Sequence, residues 1–179
     1  TSVADPRQFP PEECERAAEW VRARFAQLGF SDAHLEETSD GSRAVVGSRP
    51  CADPAAPTVL LYAHYDVQPP LDEAAWRTPP FELTEVEGRR YGRGTADCKG
   101  NIVMHLTALR ALGAEVPVNL KLVVEGSEEQ GTGGLEAFVE QNPHLLRADT
   151  ILVCDTGNAA VGTPAATTAC ARRSSESRR

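Results

Sequence analysis

Lysine is nearly missing from this 179-residue chain, which has two lysines against sixteen arginines. That bias resembles the codon usage of a GC-rich genome and carries no mechanism. Positive charge is in deficit overall. A net charge of −8 and a pI of about 5.0 exclude an extended nucleic-acid-binding surface. Paired cysteine spacing is also missing. Cys14, Cys51, Cys98, Cys154 and Cys170 are odd in number and scattered, which excludes a disulfide framework and points to a reducing compartment, the cytoplasm. No apolar run is long enough to cross a bilayer and no signal peptide opens the chain, so no membrane association is expected. The GRG of residues 92–94 lacks the third glycine and the following acid of a dinucleotide-binding loop. There is no internal repeat.

What is present reads as alternating helices and strands. Residues 11–29 have helical spacing, with Pro11, Glu12 and Glu13 suited to the first turn, Gly29 to the stop, and Ala18, Val21, Phe25 and Leu28 on one face. Residues 33–38 and 43–48 flank Asp40-Gly41, a strong hairpin signal. TVLLYAHYDV, residues 58–67, is a near-continuous apolar run ending in His64 and Asp66, the pattern of a strand buried on both faces. Residues 71–80 form a loop and residues 81–91 a short strand pair turning near Gly88. A helix is expected over 99–112, with Ile102, Leu106, Leu109 and Leu112 on its apolar face and Gly113 at its end. Then come a strand at 119–126, a polar turn at 127–134, a helix at 135–142 ended by Pro143, a buried strand at 150–157 and an extended segment at 159–171. Alternation of this kind means an α/β fold with a mostly parallel sheet flanked by helices.

The chemistry-bearing residues gather at equivalent points of this pattern. His64, Glu128, Glu129 and Asp155 fall at or just past the C-terminal ends of expected strands, and Asp97 precedes a helix within YGRGTADCKG, residues 91–100. Sheets of this type bind ligands outside those strand ends. One imidazole with several carboxylates suits divalent metal ions, zinc first, with manganese or cobalt as substitutes. A carboxylate such as Asp97 has two oxygens and can bridge two ions. Two ions sharing a water can hydrolyse an amide without a covalent intermediate. Asp66, two residues beyond His64, can hold the other ring nitrogen. Of the adjacent pair Glu128 and Glu129, one can bind metal while the other acts as general base. Cys98 has no histidine placed beside it in the sequence and is expected to be a small buried side chain rather than a nucleophile.

Four strings in order, LYAHYDVQPP, YGRGTADCKG, VVEGSEEQGTGG and VCDTGN, resemble the zinc exopeptidase family of aminoacylases, succinyl-diaminopimelate desuccinylase, glutamate carboxypeptidase and carnosinase-like dipeptidases. The HYDVQP form is most similar to the dipeptidase branch. The resemblance implies a phosphorylase/hydrolase-like catalytic domain acting on small peptides. It implies metal ligands His64, Asp97 and Asp155 on one ion, Asp97 and Glu129 on the other, Glu128 as base, and Asp66 as the orienting acid. It also implies a cis peptide bond between Asp97 and Cys98. Deacylation of N-acyl amino acids is the alternative within hydrolases.

Relatives add a histidine from a C-terminal region and a lid domain through which they dimerise, and neither is found in this sequence. His34, His105 and His144 are poor substitutes for that histidine. The expectation is therefore a truncated catalytic domain over residues 1–168, followed by an aberrant tail at 169–179, where a one-base slip in a Leu-Arg codon pair reads Cys-Ala. The start is likewise expected to be clipped. A chain so shortened is expected to hold metal weakly and turn over little, or to be a non-catalytic remnant that binds one metal or a partner chain.

Overall fold

In the computed structural model, the described residues are 1–131, 133–155 and 167–170. Helix α1 (Glu12–Ala26) opens with Glu12, Glu13 and Glu15 in its first turn, where carboxylates oppose the helix dipole. Ala18, Val21 and Phe25 recur on one face and are fully enclosed. The helix is one turn shorter at its C-terminus than the sequence pattern suggests, because the chain reverses through Gly29 at φ +94°.

Strands β1 (His34–Glu37), β2 (Arg43–Arg49), β3 (Thr58–His64), β6 (Asn119–Glu125), β7 (Thr150–Val153) and β8 (Thr167–Cys170) form a six-stranded sheet in the order β1-β2-β6-β3-β7-β8. The centre of the sheet, β6-β3-β7, is parallel, and the outer pairings are antiparallel. A separate hairpin joins β4 (Thr84–Val86) to β5 (Arg89–Tyr91). Two layers cover the sheet. Helices α1 and α2 (Lys99–Leu112) pack on one face over Leu61, Ala63, Leu122 and Val124, and α3 (Gly133–Gln141) and α4 (Pro143–Leu146) lie over Val46, Leu60 and Val123 on the other. Successive residues of β3 thus enter opposite cores, which is why its sequence shows no polar alternation.

Several expectations are corrected. β3 stops at His64, three residues before the apolar run ends. Tyr65 and Val67 instead donate to the carbonyls of Glu125 and Ser2 at 2.9 and 3.0 Å. On α2, Leu112 is 56% exposed and His105 takes a buried position, its Nε2 at 3.3 Å from the Tyr62 carbonyl. Pro143 ends one helix but opens α4, since a first-turn residue needs no N–H partner. β7 ends at Val153 rather than running to residue 157. Most of the 159–171 segment and residues 171–179 lie outside the described residues, though Thr167–Cys170 are extended as β8. No helix among the described residues is long and apolar enough to cross a membrane.

Candidate metal centre

The parallel register of β3, β6 and β7 sets their C-terminal ends side by side. His64 pairs with Glu125 at the ends of β3 and β6, and Asp155 follows two residues after β7. His64 has no exposed side-chain surface. Its Nδ1 lies 3.1 Å from Asp66 Oδ1, and its Nε2 lies 2.9 Å from Asp97 Oδ1. The same Nε2 is 3.6 Å from Asp155 Oδ2 and 4.0 Å from Glu128 Oε2. Burial disfavours the charged imidazole, but Asp66, Asp155 and Asp97 together outweigh it and raise His64 to about 9.

Asp66 is equally buried and does more than orient the ring. Its two oxygens accept backbone N–H groups of Glu128 and Glu129 at 3.3 and 3.0 Å. These bonds fasten the short 3-10 turn Glu128–Gln130 to the end of β3. Glu128 faces the His64 ring, and burial, reinforced by Asp155 and Glu129 against the opposing pull of His64, raises its proton affinity. Glu129 is held differently: its Oε2 accepts Gln68 Nε2 at 2.8 Å, and its backbone carbonyl accepts the same amide at 3.0 Å. So His64, Asp66, Asp97, Glu128 and Asp155 converge, while Glu129 is turned to Gln68.

Asp97 reaches the ring from the solvent side, with its carboxylate 64% exposed. The Asp97–Cys98 peptide bond is cis. Cys98 is fully buried, and burial pushes its thiol to about 12. Cys98 is thus the small buried side chain expected from the sequence, and the fold also brings it near a histidine. Ligating atoms of His64, Cys98 and Asp155 lie within 4.8 Å of one another. This cluster is a candidate metal site. Three carboxylates facing one ring nitrogen is a donor set that fits a divalent cation, which would offset their mutual repulsion.

Three participants were not read from the sequence. Gln68 carries no intrinsic signal beyond following the HYDV string. Glu125 is 1% exposed, accepts the Tyr62 hydroxyl at 2.5 Å through Oε1, and leaves Oε2 without a partner among the described residues. Burial holds Glu125 at about 7. Its place beside His64 follows from strand register alone, which no local pattern reports. Cys98 is the third.

The sequence profile of Peptidase family M20/M25/M40 matches residues 60–169, more than half of the chain. This chain belongs to the M20/M25/M40 peptidase family. Among its relatives, a cysteinylglycine-S-conjugate dipeptidase of Corynebacterium striatum is 48% identical over 158 residues, covering 86% of this chain and 34% of that protein. A Beta-Ala-His dipeptidase of Rattus norvegicus is 40% identical over 148 residues, covering 78% of this chain and 30% of that protein. Among solved structures, the M20 family metallo-carboxypeptidase Sso-CP2 from Sulfolobus solfataricus superposes with a TM-score of 0.72 at 33% identity, over 81% of this chain and 33% of that one. Human carnosine dipeptidase 1 superposes with a TM-score of 0.68 at 31% identity, over 79% of this chain and 32% of that one. This M20 chain therefore spans about a third of the length of the relatives it matches. Its α/β architecture, with a parallel sheet centre between helices, is that of its solved neighbours.

Proposed function

We propose that this chain carries the amino-terminal part of a metal-dependent dipeptidase of the cytoplasm. The observation that supports it most is the His64 imidazole, fixed by Asp66 at one nitrogen and faced at the other by Asp97, Asp155 and Glu128. In this proposal His64, Asp97 and Asp155 hold one ion, and Asp97 with Glu129 holds a second. Bound divalent ions, zinc by donor type and manganese or cobalt as substitutes, supply a Lewis acid for the scissile carbonyl and acidify the attacking water.

The remaining chemistry belongs to the chain's own groups. Glu128 takes the proton of the attacking water on its carboxylate and later delivers it to the leaving amine. Its raised proton affinity suits a base working near neutrality. Asp66 keeps the His64 ring turned so that Nε2 faces the centre, and anchors the turn that presents Glu128. The free cysteines among the described residues support a reducing compartment.

One observation favours a second reading, a non-catalytic protein that holds a single ion. Glu129 stands outside the cluster formed by His64, Cys98 and Asp155. Metal analysis combined with assay of cysteinylglycine, β-alanylhistidine and N-acyl amino acids separates these readings. Two ions per chain with dipeptide hydrolysis, retained ions in Glu128→Gln, and a loss of at least about 100-fold in its rate support the enzyme. One ion with no turnover supports the second reading. Hydrolysis of N-acyl amino acids alone makes the protein a deacylase.

A further inference from the structure

The tip of the β1–β2 hairpin carries an acid that the proposed mechanism does not use. Asp40 Oδ1 accepts the Thr38 hydroxyl at 2.7 Å and the Ser42 N–H at 3.0 Å. An aspartate in a turn commonly accepts the N–H two residues on, so hairpin geometry accounts for the bond to Ser42. It does not account for what else the carboxylate touches. Ser127, 85 residues beyond Ser42, accepts the Ser42 hydroxyl at 3.2 Å and is itself hydrogen-bonded to Asp40. The carboxylate also lies against Gly134, where a Cβ would stand 2.5 Å from Asp40 Cγ and Oδ1. Thr38 and Ser127 are both buried, so this network is inside the fold. Burial would raise the proton affinity of Asp40, but the hydrogen bonds from Ser127, Thr38 and Ser42 outweigh it and hold Asp40 at about 2. Its negative charge thus stands at the first turn of α3, where the helix dipole favours it.

Ser127 and Gly134 bracket Glu128 and Glu129 in the chain. The Ser127 carbonyl accepts the Gln130 N–H at 3.1 Å and closes the turn that carries both acids. Asp66 holds that turn from the β3 side through the N–H groups of Glu128 and Glu129. A turn anchored on one side alone can pivot about its anchor, and a second anchor across from it removes that freedom. We propose that Asp40 is a positioning residue for Glu128. From the hairpin tip it holds Ser127 and the opening of α3, and so fixes the direction in which the turn between them presents the Glu128 carboxylate to His64. The proposal rests on the reading of Glu128 as general base and adds to it the device that aims that base.

The test is backbone amide exchange over residues 126–131, read by mass spectrometry, together with kcat and KM for cysteinylglycine on the zinc-loaded full chain. Asp32→Ala is the comparison, because Asp32 braces β2 through the Ser48 N–H at 2.7 Å and the Ser48 hydroxyl, away from the turn. Asp40→Ala is expected to speed exchange over 126–131 by at least about tenfold, while β6 changes by less than about threefold. It should lower kcat at least about tenfold with KM within about threefold, because the base is displaced and substrate binding is not. Asp40→Asn keeps one acceptor oxygen for the hairpin tip, and should fall between Asp40→Ala and wild type on both readings. Ser127→Ala should lower kcat too, and combining it with Asp40→Ala should cost no more than Asp40→Ala alone. Asp32→Ala should lose stability yet keep kcat and the exchange of the turn. If the turn exchanges at the wild-type rate in both Asp40 variants, or if Asp32→Ala lowers kcat as much as they do, Asp40 serves the hairpin alone and the proposal is overturned. Absence of turnover in the wild type overturns the dipeptidase reading instead, and exchange over 126–131 then decides by itself whether Asp40 holds the turn.

Discussion

Asp66 makes three contacts that tie the candidate centre together, one to a ring nitrogen and two to backbone N–H groups. Asp66→Asn keeps the side chain's shape but replaces one acceptor oxygen with a donor. The expected outcome is a loss of about 10- to 100-fold in zinc affinity, measured by competition with a chromophoric chelator. Glu125 differs from the other acids. It sits beside His64 in the ladder, and one oxygen is bonded to Tyr62 while the other is buried without a partner among the described residues. Burial raises it from an ordinary 4.5 to about 7. The folded state therefore binds its proton more tightly than the unfolded state does. The associated stability is fully present below pH 4.5 and is lost as pH rises through 7. Urea midpoints measured across that interval should fall with rising pH in the wild type and stay nearly level, from this residue's contribution, in Glu125→Gln.

At the scale of elements, the ends of β3 and β6 approach so closely that one residue between them can have no side chain. A Cβ on Gly126 would stand 2.2 Å from the hydroxyl oxygen of Tyr65, which is itself bonded to the Arg43 carbonyl at 2.7 Å. Tyr65 is 1% exposed and cannot swing away. Gly126→Ala should destabilise the fold by about 1–3 kcal/mol or more, read from chemical denaturation, and should displace the Glu128–Gln130 turn. A parallel case arises at the start of α2. There a Cβ on Gly100 would lie 2.0 Å from the Thr95 carbonyl oxygen, so the approach of the GRGTADCKG loop to its helix requires glycine. Arg93 fastens the same loop elsewhere, with its guanidinium 4.9 Å from the Trp76 ring centroid and bonded to the Pro69 carbonyl at 2.8 Å.

For the whole molecule, the acids around His64 make folding and cation binding interdependent. Asp155, Glu129 and Asp66 repel Glu128 where the acids gather, and a bound divalent ion would offset that repulsion. An ion that binds only the folded form stabilises it by mass action. Zinc at about 100 times its Kd should add about 2.7 kcal/mol. The thermal midpoint should rise accordingly, return on adding a chelator, and fail to respond in His64→Ala. A second consequence concerns the face of the sheet that bears α3 and α4. Leu60, Tyr62, Val123, Val139, Ile151 and Val153 line a broad apolar trough of about 850 Å³ there, with Val139 41% exposed. A trough of that kind should bind a hydrophobic fluorescent dye, and Val139→Asp should reduce the signal without loss of helix content.

The α/β class, the elements flanking the site and the candidate residues were legible in the sequence because each leaves a local mark. A strand buried on both faces is a short apolar run, a helix repeats its apolar residues every three or four positions, and polar residues just past such runs stand at strand ends. His64, Glu128, Glu129 and Asp155 were read at strand ends in that way, with Asp66 two residues beyond His64 and Asp97 just before a helix. Other features arise from pairings between segments far apart in the chain, which leave no local period. The register of β3 against β6 set Glu125 beside His64. Packing of Phe25, Leu61 and Ile102 into one core, with the sulfur of Cys98 among them, turned that residue inward against the histidine. A contact with Gln68 drew Glu129 aside from its neighbour. Sequence determined which groups stand at the edge of the sheet, and tertiary structure alone decided which of them meet, because their distances follow from strand pairing and packing.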